Sequence, residues 1–480
     1  MKSDGGKNEE KTARKGHNNA QKAGATLRNW LAHLEQYDRL AIARPEVKLE
    51  FELAAIASTL DGRKATFFPR PGGHNIPIVS GIVSQRDWIA DALDVPPEKL
   101  VSAFKQAASN PLPCKFVSDA PCQAELIAEP ELLRDLPIPV HNELDNGPYI
   151  TAGLIIVRNP ATGIQNVAIV RMQVVGPRRI GALLLPRHTM AFMDIAEQAG
   201  HDLPCAIVIG ASPAELLASQ AIAPINCDEL EIAGALLGEP LEVTRCKSSD
   251  LHVPAGAEII LEGRLLAGQR APEGPFGEFT QYYGASPASH VVEIDVITHR
   301  QNPIYHTIIG GGLEHLMLGC IPREATILES IQRHFPNVVD VALSLGGVCR
   351  YHLHVQMKPR ADGEAKNVIM AAFAAHYDIK QVIVVDADVD VHDPKEVEWA
   401  VATRFQASRD LVVVLDAQGS KLDPSTRNGV GSKMGLDATV PIALRDSEFK
   451  RISIPGMDRL DIDAAIDASA QIEDYLVPTP

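Results

Sequence analysis

The chain has 480 residues, of which 45% are hydrophobic and 22% are charged, and its formal net charge is −16. That length exceeds what one hydrophobic core ordinarily supports, so we expect two or three domains of about 100 to 200 residues each. The acidic balance argues against a general nucleic-acid or anionic-membrane surface, so any anionic ligand must be held by local groups.

The cysteines and the start of the chain bear on the cellular compartment. The seven cysteines include no CxxC pair, which indicates free thiols in a reducing compartment rather than a disulfide framework or a zinc site. No apolar run reaches the roughly 18 residues that a membrane span needs. Residues 1–24 are polar and lack an apolar signal segment, so we expect a disordered tail. These features predict a cytoplasmic protein with no membrane span.

Residues 25–112 are predicted to form a small N-terminal α/β domain. Thr26 is a candidate cap for a first helix, whose apolar residues recur from Leu27 to Tyr37 at three-to-four spacing. Further helices are predicted at 50–60, 85–93 and 97–108, and strands at 65–68 and 77–82. The proline-rich segment 110–148 is expected to cross to the next domain in an extended conformation.

From Tyr149 the hydrophobic period changes to two, which is typical of strands. Strands predicted at 150–158, 164–175 and 180–185 are joined by tight turns and should form an antiparallel meander. More strands are predicted at 206–209, 257–266, 290–299 and 303–309, with helices at 188–199 and 228–237. Many strands with few helices predict a split β-barrel domain over residues 113–313, a common seat for a flavin-like ligand.

Residues 314–480 return to alternating helices and strands, which predicts a C-terminal α/β domain. Helices are predicted at 323–335, 364–376 and 394–403, and strands at 338–343, 351–356 and 381–385. The stretch 425–439, which includes Lys433, is predicted to be a loop. It either closes over a pocket or is a plain surface loop.

Two acids in the stretch RAPEGPFGEFTQYYG, residues 270–284, are the candidate chemical groups. Glu273 and Glu278 are five residues apart, a spacing that would separate them on a regular helix or strand. The Gly, Pro and Gly between them permit an irregular backbone that could bring them together. Two carboxylates held close cannot both ionise freely, so one could donate a proton near neutral pH. The alternative is a solvated turn with two surface acids.

Arg171 and three possible metal ligands are the other candidates. Arg171 lies in an apolar strand, so it either faces solvent or meets the two acids. Asn166 would face the opposite way in a regular strand, so it must lie at the strand start or beyond a bulge. His188 is either a ligand or a helix-start residue, and Glu229 occupies a first helical turn, where the helix dipole alone favours an acid. These donor types suit Mn²⁺ or Mg²⁺ better than Zn²⁺.

Five ordered stretches of the sequence resemble the UbiD-like decarboxylases, which use prenylated FMN. The resemblance runs from Leu27 to about Pro441 and rests on NVAIVRMQ, LLLPRH, DELEIAGALLG, PEGPFGE and KQVIVVDADVDVHDP. It implies that Arg171, Glu273 and Glu278 form a Glu-Arg-Glu network. In that network Glu278 protonates the product carbon, while the other two residues set its proton state and hold the substrate carboxylate.

The resemblance also implies a set of cofactor and ion contacts. Asn166, His188 and Glu229 correspond to ligands of a divalent ion, usually Mn²⁺, that bridges to the cofactor phosphate. The other implied cofactor contacts are Val167, Ala168, Ile169, Val170, Arg171, Arg187 and Lys380. The backbone oxygens implied to hold K⁺ are those of Ala218, Ser219 and Ala221. Ala168 and Val170 stand where many relatives carry larger or polar residues.

The implied reaction is the reversible, non-oxidative decarboxylation of an aromatic, heteroaromatic or α,β-unsaturated carboxylic acid. The implied partners are that small-molecule acid, a flavin prenyltransferase that supplies the cofactor, and further copies of the chain, which associate through the C-terminal domain as a homodimer or a larger homo-oligomer. Two alternatives stay open. One is an FMN-dependent oxidoreductase on a related barrel, and the other is a non-catalytic assembly component.

Overall fold

The structure is a computed structural model that describes residues 22–284, 288–472 and 476. Most of the predicted disordered tail, residues 1–21, lies outside the described residues. The end of that tail is described, and Ala23–Ala25 forms a 3-10 turn that leads into the first helix.

The N-terminal region packs helices on a small sheet. Its elements are α1 (Leu27–Gln36), β1 (Leu40–Ile42), α2 (Glu52–Leu60), β2 (Ala65–Phe68), β3 (Ile78–Ser80), α3 (Arg86–Leu93) and α4 (Leu100–Ser109). The Thr26 side chain accepts a hydrogen bond from the backbone of Asn29, so it caps α1 as the sequence predicts. The apolar stripe of α1, which includes Trp30 and Leu34, is buried.

The central region forms a strongly curved, largely antiparallel sheet. Its elements are β4 (Lys115–Phe116), β5 (Glu125–Ile127), α5 (Leu132–Asp135), β6 (Tyr149–Ile150), β7 (Leu154–Arg158), β8 (Gln165–Ile169), β9 (Met172–Val174), β10 (Arg179–Ala182), α6 (His188–Gln198), β11 (Leu203–Ile209), α7 (Pro213–Ala218), α8 (Glu229–Leu237), β12 (Glu242–Arg245), β13 (His252–Pro254), β14 (Ile259–Pro272), β15 (Ala288–His299) and β16 (Tyr305–His306). Within the described residues the main strand order is β6-β9-β10-β15-β14-β11-β7-β8.

The predicted three-strand meander is wrong at its first and middle strands, and the first, 150–158, is divided into β6 and β7. The stretch 164–175 is interrupted after Ile169, and its halves, β8 and β9, pair with different neighbours. β8 ends one side of the strand order, and β9 lies next to the other end. The chain therefore crosses from one end of the sheet to the other at Val170 and Arg171, where the sheet curls towards closure as a barrel. Arg171 is placed at this crossing.

The strand predicted at 303–309 was also assigned to the wrong sheet. In the structure β16 pairs in parallel with β3 of the N-terminal sheet. Tyr305 is fully buried in the same apolar cluster as Phe68 and Ile78. These long-range contacts determine which strand β16 pairs with, and the local periodicity of the sequence does not reveal them.

The C-terminal region is a mixed sheet with helices. Its elements are α9 (Leu313–Gln332), β17 (Val338–Leu343), β18 (His352–Met357), α10 (Glu364–Ala375), β19 (Gln381–Asp386), α11 (Pro394–Arg404), α12 (Ala407–Asp410), β20 (Leu411–Gln418), β21 (Val430–Ala438) and α13 (Ile462–Ala465). The described strands follow the order β17-β18-β19-β21-β20. α9 begins well before the predicted start at 323 and continues through Pro322, since its many buried apolar residues outweigh the disruption by proline.

The predicted loop at 425–439 is mostly strand. β21 lies between β19 and β20, pairing in parallel with the first and antiparallel with the second. Lys433 is only 6% exposed, and its ammonium group donates to the backbone oxygen of Tyr377 at 2.8 Å. The Gly and Ser content of the stretch suggested a loop, but pairing on both sides makes it an interior strand rather than a lid.

One apolar cluster connects all three regions. It includes Trp30 of α1, Leu217 of α7, Ile327 of α9 and Val382 of β19. A second cluster lies inside the curved sheet. No described helix is long and apolar enough to cross a membrane.

Candidate active site

The acid loop, residues 273–284, turns back on itself directly after β14. The backbone N–H of Glu278 donates to the oxygen of Tyr282, and that of Gly284 donates to the oxygen of Phe276, both at 2.9 Å. A Cβ built on Gly284 would lie 3.3 Å from the Glu278 side chain and 3.4 Å from the Arg171 guanidinium, so a larger residue there would crowd that pair. The irregular backbone predicted for this loop is present.

Arg171 joins the two acids of the loop. Its Nη2 donates to Oε2 of Glu273 at 2.9 Å, and its Nη1 donates to Oε1 of Glu278. The side chains of Arg171, Glu273 and Glu278 are 11%, 0% and 9% exposed, so the acids are not a solvated surface turn. Arg171 lies where the chain crosses from β8 to β9, and Glu273 directly follows β14.

The charges of this group favour a retained proton. Burial raises the pKa of Glu278; Arg171 lowers that pKa and the charge of Glu273 raises it, and the net direction is upward. Among the described residues, Oε1 of Glu273 and Nε of Arg171 are buried without a hydrogen-bond partner. Because a single hydrogen-bonded guanidinium serves two buried carboxylates, the group favours a retained proton, and Glu278 can donate a proton above the ordinary carboxyl range.

Two aromatic rings close the side of the group. The Arg171 guanidinium carbon lies 5.2 Å from the centre of the Phe276 ring, and the Tyr149 ring lies 4.6 Å from Phe276. Burial raises the pKa of Tyr149, and the charge of Glu273 raises it further, so the phenol stays protonated. The rings exclude water, which strengthens the electrostatic coupling among the three charged groups.

Asn166 and Glu229 meet in a second polar cluster. Nδ2 of Asn166 donates to Oε1 of Glu229 at 2.8 Å, and the Val167 backbone N–H donates to Oε2 at 2.7 Å. Thr189 donates to Oδ1 of Asn166 at 2.8 Å. Asn166 lies near the start of β8, one of the two positions that the sequence allows. Burial raises the pKa of Glu229 to about 8.

His188 lies next to this cluster without joining it by a hydrogen bond. It is the first residue of α6, directly before Thr189, and its ring stacks on Phe192 at 6.5 Å. Burial lowers the pKa of His188, and so does the charge of Arg187. Within the described residues no three His, Cys, Asp or Glu side chains gather as a metal site. A divalent ion would therefore need the amide oxygen of Asn166 as well.

The other predicted cofactor positions fall into two groups. Val167, Ala168 and Ile169 belong to the end strand β8, Val170 follows it, and Arg187 is exposed at the start of α6. Lys380 lies apart, with its ammonium group 2.8 Å from Asp423 and 2.6 Å from Ser425.

The backbone positions predicted for K⁺ lie at the end of α7. Ala218 is its last residue, and its oxygen accepts from the backbone of Ala221 at 2.9 Å. The hydroxyl of Ser219 donates to the oxygen of Leu216 at 2.7 Å. The Ser219 hydroxyl is therefore already hydrogen-bonded at the end of the helix. The predicted K⁺ contacts involve only the backbone oxygens of these residues.

Arg350 is a site residue that the sequence analysis missed. Its guanidinium lies 4.5 Å from the centre of the Phe279 ring, directly after Glu278 in the chain, and its charge lowers the pKa of Glu278. Nη1 of Arg350 is buried with no hydrogen-bond partner among the described residues. The one signal for Arg350 in the sequence is its position directly before the strand predicted at 351–356.

A cavity of about 1000 Å³ lies elsewhere, at the far end of α6. Ile195, Ala199 and Leu251 are among its lining residues, and none of the predicted site residues is. This cavity contains none of the buried charged groups that make the acid loop the candidate active site.

Three models of one family match the chain in order. The N-terminal, Rift-related and C-terminal domains of 3-octaprenyl-4-hydroxybenzoate carboxy-lyase match residues 31–108, 115–313 and 316–438. The chain belongs to the UbiD family. Membership confirms the predicted family, the three-domain mixed α/β architecture and the carboxy-lyase class, which takes the place of the oxidoreductase and assembly alternatives.

Solved and curated members of the UbiD family are similar along nearly their whole length. The UbiD-class enzyme HmfF from Pelotomaculum thermopropionicum in complex with FMN has a TM-score of 0.90 and 48% identity, covering 92% of this chain and 100% of that one. Anhydromevalonate phosphate decarboxylase from Methanothermobacter thermautotrophicus is 38% identical over 89% of this chain and 99% of its own length. Phenolic acid decarboxylase from Bacillus subtilis is 35% identical over 87% and 93%.

Proposed function

We propose that this chain removes CO₂ from an aromatic, heteroaromatic or α,β-unsaturated carboxylic acid without net redox change, using prenylated FMN and with Glu278 as the proton donor. One observation carries the proposal: Arg171 is shared by two buried carboxylates, Glu273 and Glu278. One cation does not balance two buried acids, so the group retains a proton. The same geometry serves the reverse reaction at high CO₂ concentration.

The proton balance gives each side chain a task. When the bond to the carboxylate breaks, its electron pair stays with the substrate and CO₂ leaves. Glu278 then gives its proton to that carbon, while Arg171 holds the carboxylate beforehand and Glu273 keeps Arg171 in place. Prenylated FMN, when bound, supplies the electron sink that makes this bond cleavage possible. Structures of HmfF with FMN and with prenylated FMN support this cofactor.

Asn166, His188 and Glu229 would hold Mn²⁺ or Mg²⁺ at the cofactor phosphate. The fit rests on the donor types and on the burial of Glu229, whose carboxylate oxygens accept only from neutral N–H groups. A cation would compensate this buried charge. The remaining proposed contacts are Val167, Ala168, Ile169, Val170 and Arg187 for the cofactor, and the backbone oxygens of Ala218, Ser219 and Ala221 for K⁺. Lys380 stays a prediction, because a phosphate contact would require it to release Asp423.

Replacing Glu229 by Gln is expected to weaken the Mn²⁺-dependent part of FMN binding by about 10-fold or more, because the anionic ligand is lost. Quenching of FMN fluorescence, titrated with and without Mn²⁺, measures this effect. The matched control is Glu231→Gln, which removes a half-buried acid from the same helix. If Mn²⁺ improves FMN binding equally in the wild type and in Glu229→Gln, Glu229 is not a ligand.

The charges around Arg350 favour a substrate that carries a second anionic group. Arg323 is buried near Arg350: burial lowers the pKa of both guanidinium groups, and the charge of Arg350 lowers that of Arg323 further. Asp378 is the acid facing both of them. Nη1 of Arg350 has no partner among the described residues, so a ligand anion would satisfy a buried donor. One relative is itself named for a substrate that carries a phosphate.

Arg350→Gln is expected to raise the KM for a dicarboxylic substrate by about 10-fold or more and to leave the KM for the matching monocarboxylic acid within about 3-fold, because only the diacid loses a charge-assisted bond. Steady-state CO₂ release from such acid pairs measures the difference. Arg333→Gln, an exposed change on α9, is the control. Equal changes in KM for both acids would contradict this assignment.

We also propose that the C-terminal domain mediates self-association into a homodimer or a larger homo-oligomer. β20 and β21 expose Val413, Leu415 and Val430, at 53%, 70% and 47%, on neighbouring strands of one sheet. Exposed apolar surface of this kind is typical of interfaces. A flavin prenyltransferase is the proposed cofactor supplier.

The decarboxylase assignment is tested by CO₂ release from a panel of aryl, heteroaryl and α,β-unsaturated acids. The protein is matured with a flavin prenyltransferase and Mn²⁺, and protein carrying unmodified FMN is the control. Release that depends on prenylated FMN supports the proposal. A bound flavin that is bleached by NAD(P)H, with no CO₂ from any acid, would favour an oxidoreductase instead.

A further inference from the structure

Gln173 connects the arginine strand to the acid loop. It lies in β9, two residues after Arg171, and is 4% exposed. Its Oε1 accepts from the Gly274 backbone N–H at 3.0 Å, directly after Glu273, and its Nε2 donates to the backbone oxygen of Asn146. One amide therefore joins three separate segments beside the Glu-Arg-Glu group.

The same amide also holds the Tyr149 hydroxyl. The hydroxyl donates to Oε1 of Gln173 at 3.2 Å, and Tyr149 lies directly opposite Gln173 in the pairing of β6 with β9. Glu273 is within reach of the same hydroxyl, since its charge and a side-chain hydrogen bond with it both raise the pKa of Tyr149. A phenol has one proton to donate. While Gln173 accepts it, Oε1 of Glu273 has no donor among the described residues.

We infer that Gln173 is a positioning residue that competes with Glu273 for the hydroxyl proton of Tyr149 and so sets how firmly Glu278 holds the retained proton. This inference rests on the proposed role of Glu278. If Tyr149 donated to Glu273 instead, that hydrogen bond would offset part of the Glu273 charge, which raises the pKa of Glu278, and Glu278 would hold its proton less firmly. Glu278 would then be a stronger acid that loses its proton at a lower pH.

The charged and titratable groups around the proton that Glu278 retains come from four different segments of the chain. They are Arg171, Glu273, Tyr149 and Arg350. The Tyr149 hydroxyl can change its acceptor without a change of charge, since Gln173, Glu273 and the backbone oxygen of Pro275 are all within its reach. A substitution at Gln173 should therefore act on the pH profile through Tyr149.

The first test is Gln173→Met, which keeps the volume and removes the acceptor. The limb of the kcat profile that falls at high pH is expected to move down by about 1 unit, so that kcat at a pH above the limb falls by about 10-fold, because Glu278 loses its proton more readily. In Gln173→Met with Tyr149→Phe, the limb is expected to return to its wild-type position. A limb that does not move, or that moves equally in the double variant, would overturn the inference. Met172→Leu, on the neighbouring core position, is the folding control.

A second measurement needs no turnover. In the FMN-loaded enzyme, the infrared carbonyl band of the protonated Glu278 carboxyl is titrated with pH, and Glu278→Gln identifies the band. Gln173→Met should lower its midpoint by about the same 1 unit, and Tyr149→Phe alone should leave it unchanged. A midpoint that moves in Tyr149→Phe alone would show that Tyr149 already donates to Glu273, and would overturn the inference even if Gln173→Met does not fold. If the wild type decarboxylates no acid, the proposed function fails, while this titration still decides the role of Gln173.

Discussion

Glu278→Gln is expected to lower the rate of CO₂ release by about 100-fold to 10,000-fold, the range that a positioned proton donor contributes, while prenylated FMN stays bound. The amide has nearly the same shape, and its oxygen can still accept from Arg171, so the loop should keep its conformation. It has no acidic proton to give to the substrate carbon. CO₂ release from the best acid of the panel, together with the absorption spectrum of the bound flavin, measures both parts of the expectation.

The control for this change is Glu293→Gln, which alters a carboxylate of β15 that pairs with Arg179 at the surface. It should leave the rate within about 2-fold, since such exposed pairs contribute little. A wild-type rate in Glu278→Gln would remove Glu278 from its role.

The wild-type pH profile should carry the signature of the same group. Burial raises the pKa of Glu278 above its ordinary value, and the protonated form is the active donor. The kcat is therefore expected to be flat at low pH and to fall as pH rises through this raised pKa. Glu278→Gln should abolish that limb, and a rate that rises with pH in this range would contradict the assignment.

The convergence of the acid loop could be predicted from residue types because its causes are local. Gly and Pro between Glu273 and Glu278 permit the turn, and an arginine in an apolar strand needs a buried acid if it does not face water. The position of Asn166 near the start of a strand was predicted from equally local information, its spacing from Arg171. Each of these inferences used only the backbone preferences and the charge of a few neighbouring residues.

The features that the sequence did not reveal depend on distant partners. The break at Val170 and Arg171 exists because β8 and β9 pair with opposite sides of the curved sheet. Lys433 lies in a strand because β19 and β20 flank it on both sides. Gln173 reaches Gly274 across 101 positions of the chain. No local pattern encodes such pairings, so propensity alone assigned two of these segments incorrectly.

Arg171→Met is expected to destabilise the folded chain by about 3 to 5 kcal/mol at neutral pH and to abolish CO₂ release, because it leaves two buried carboxylates without a cation. The midpoint of urea unfolding, measured without added cofactor, reports the stability. Arg178→Met is the matched control, since Arg178 is an arginine of the same region whose ion pair with Asp295 is partly exposed. Its expected cost is below about 1 kcal/mol.

The loss of stability in Arg171→Met should depend on pH, with a definite sign. Burial already raises the pKa of Glu278 in the presence of Arg171, and removing the cation raises it further. The folded variant then binds more protons than the unfolded chain, so its stability is highest below the ordinary carboxyl pKa and falls as pH rises through the raised one. The destabilisation should therefore be small near pH 4 and large near pH 8. Adding Glu273→Gln and Glu278→Gln to Arg171→Met should remove this pH dependence, because neither carboxyl of the acid loop is left to titrate. If the pH dependence of stability persists in this triple variant, the coupled charges lie elsewhere.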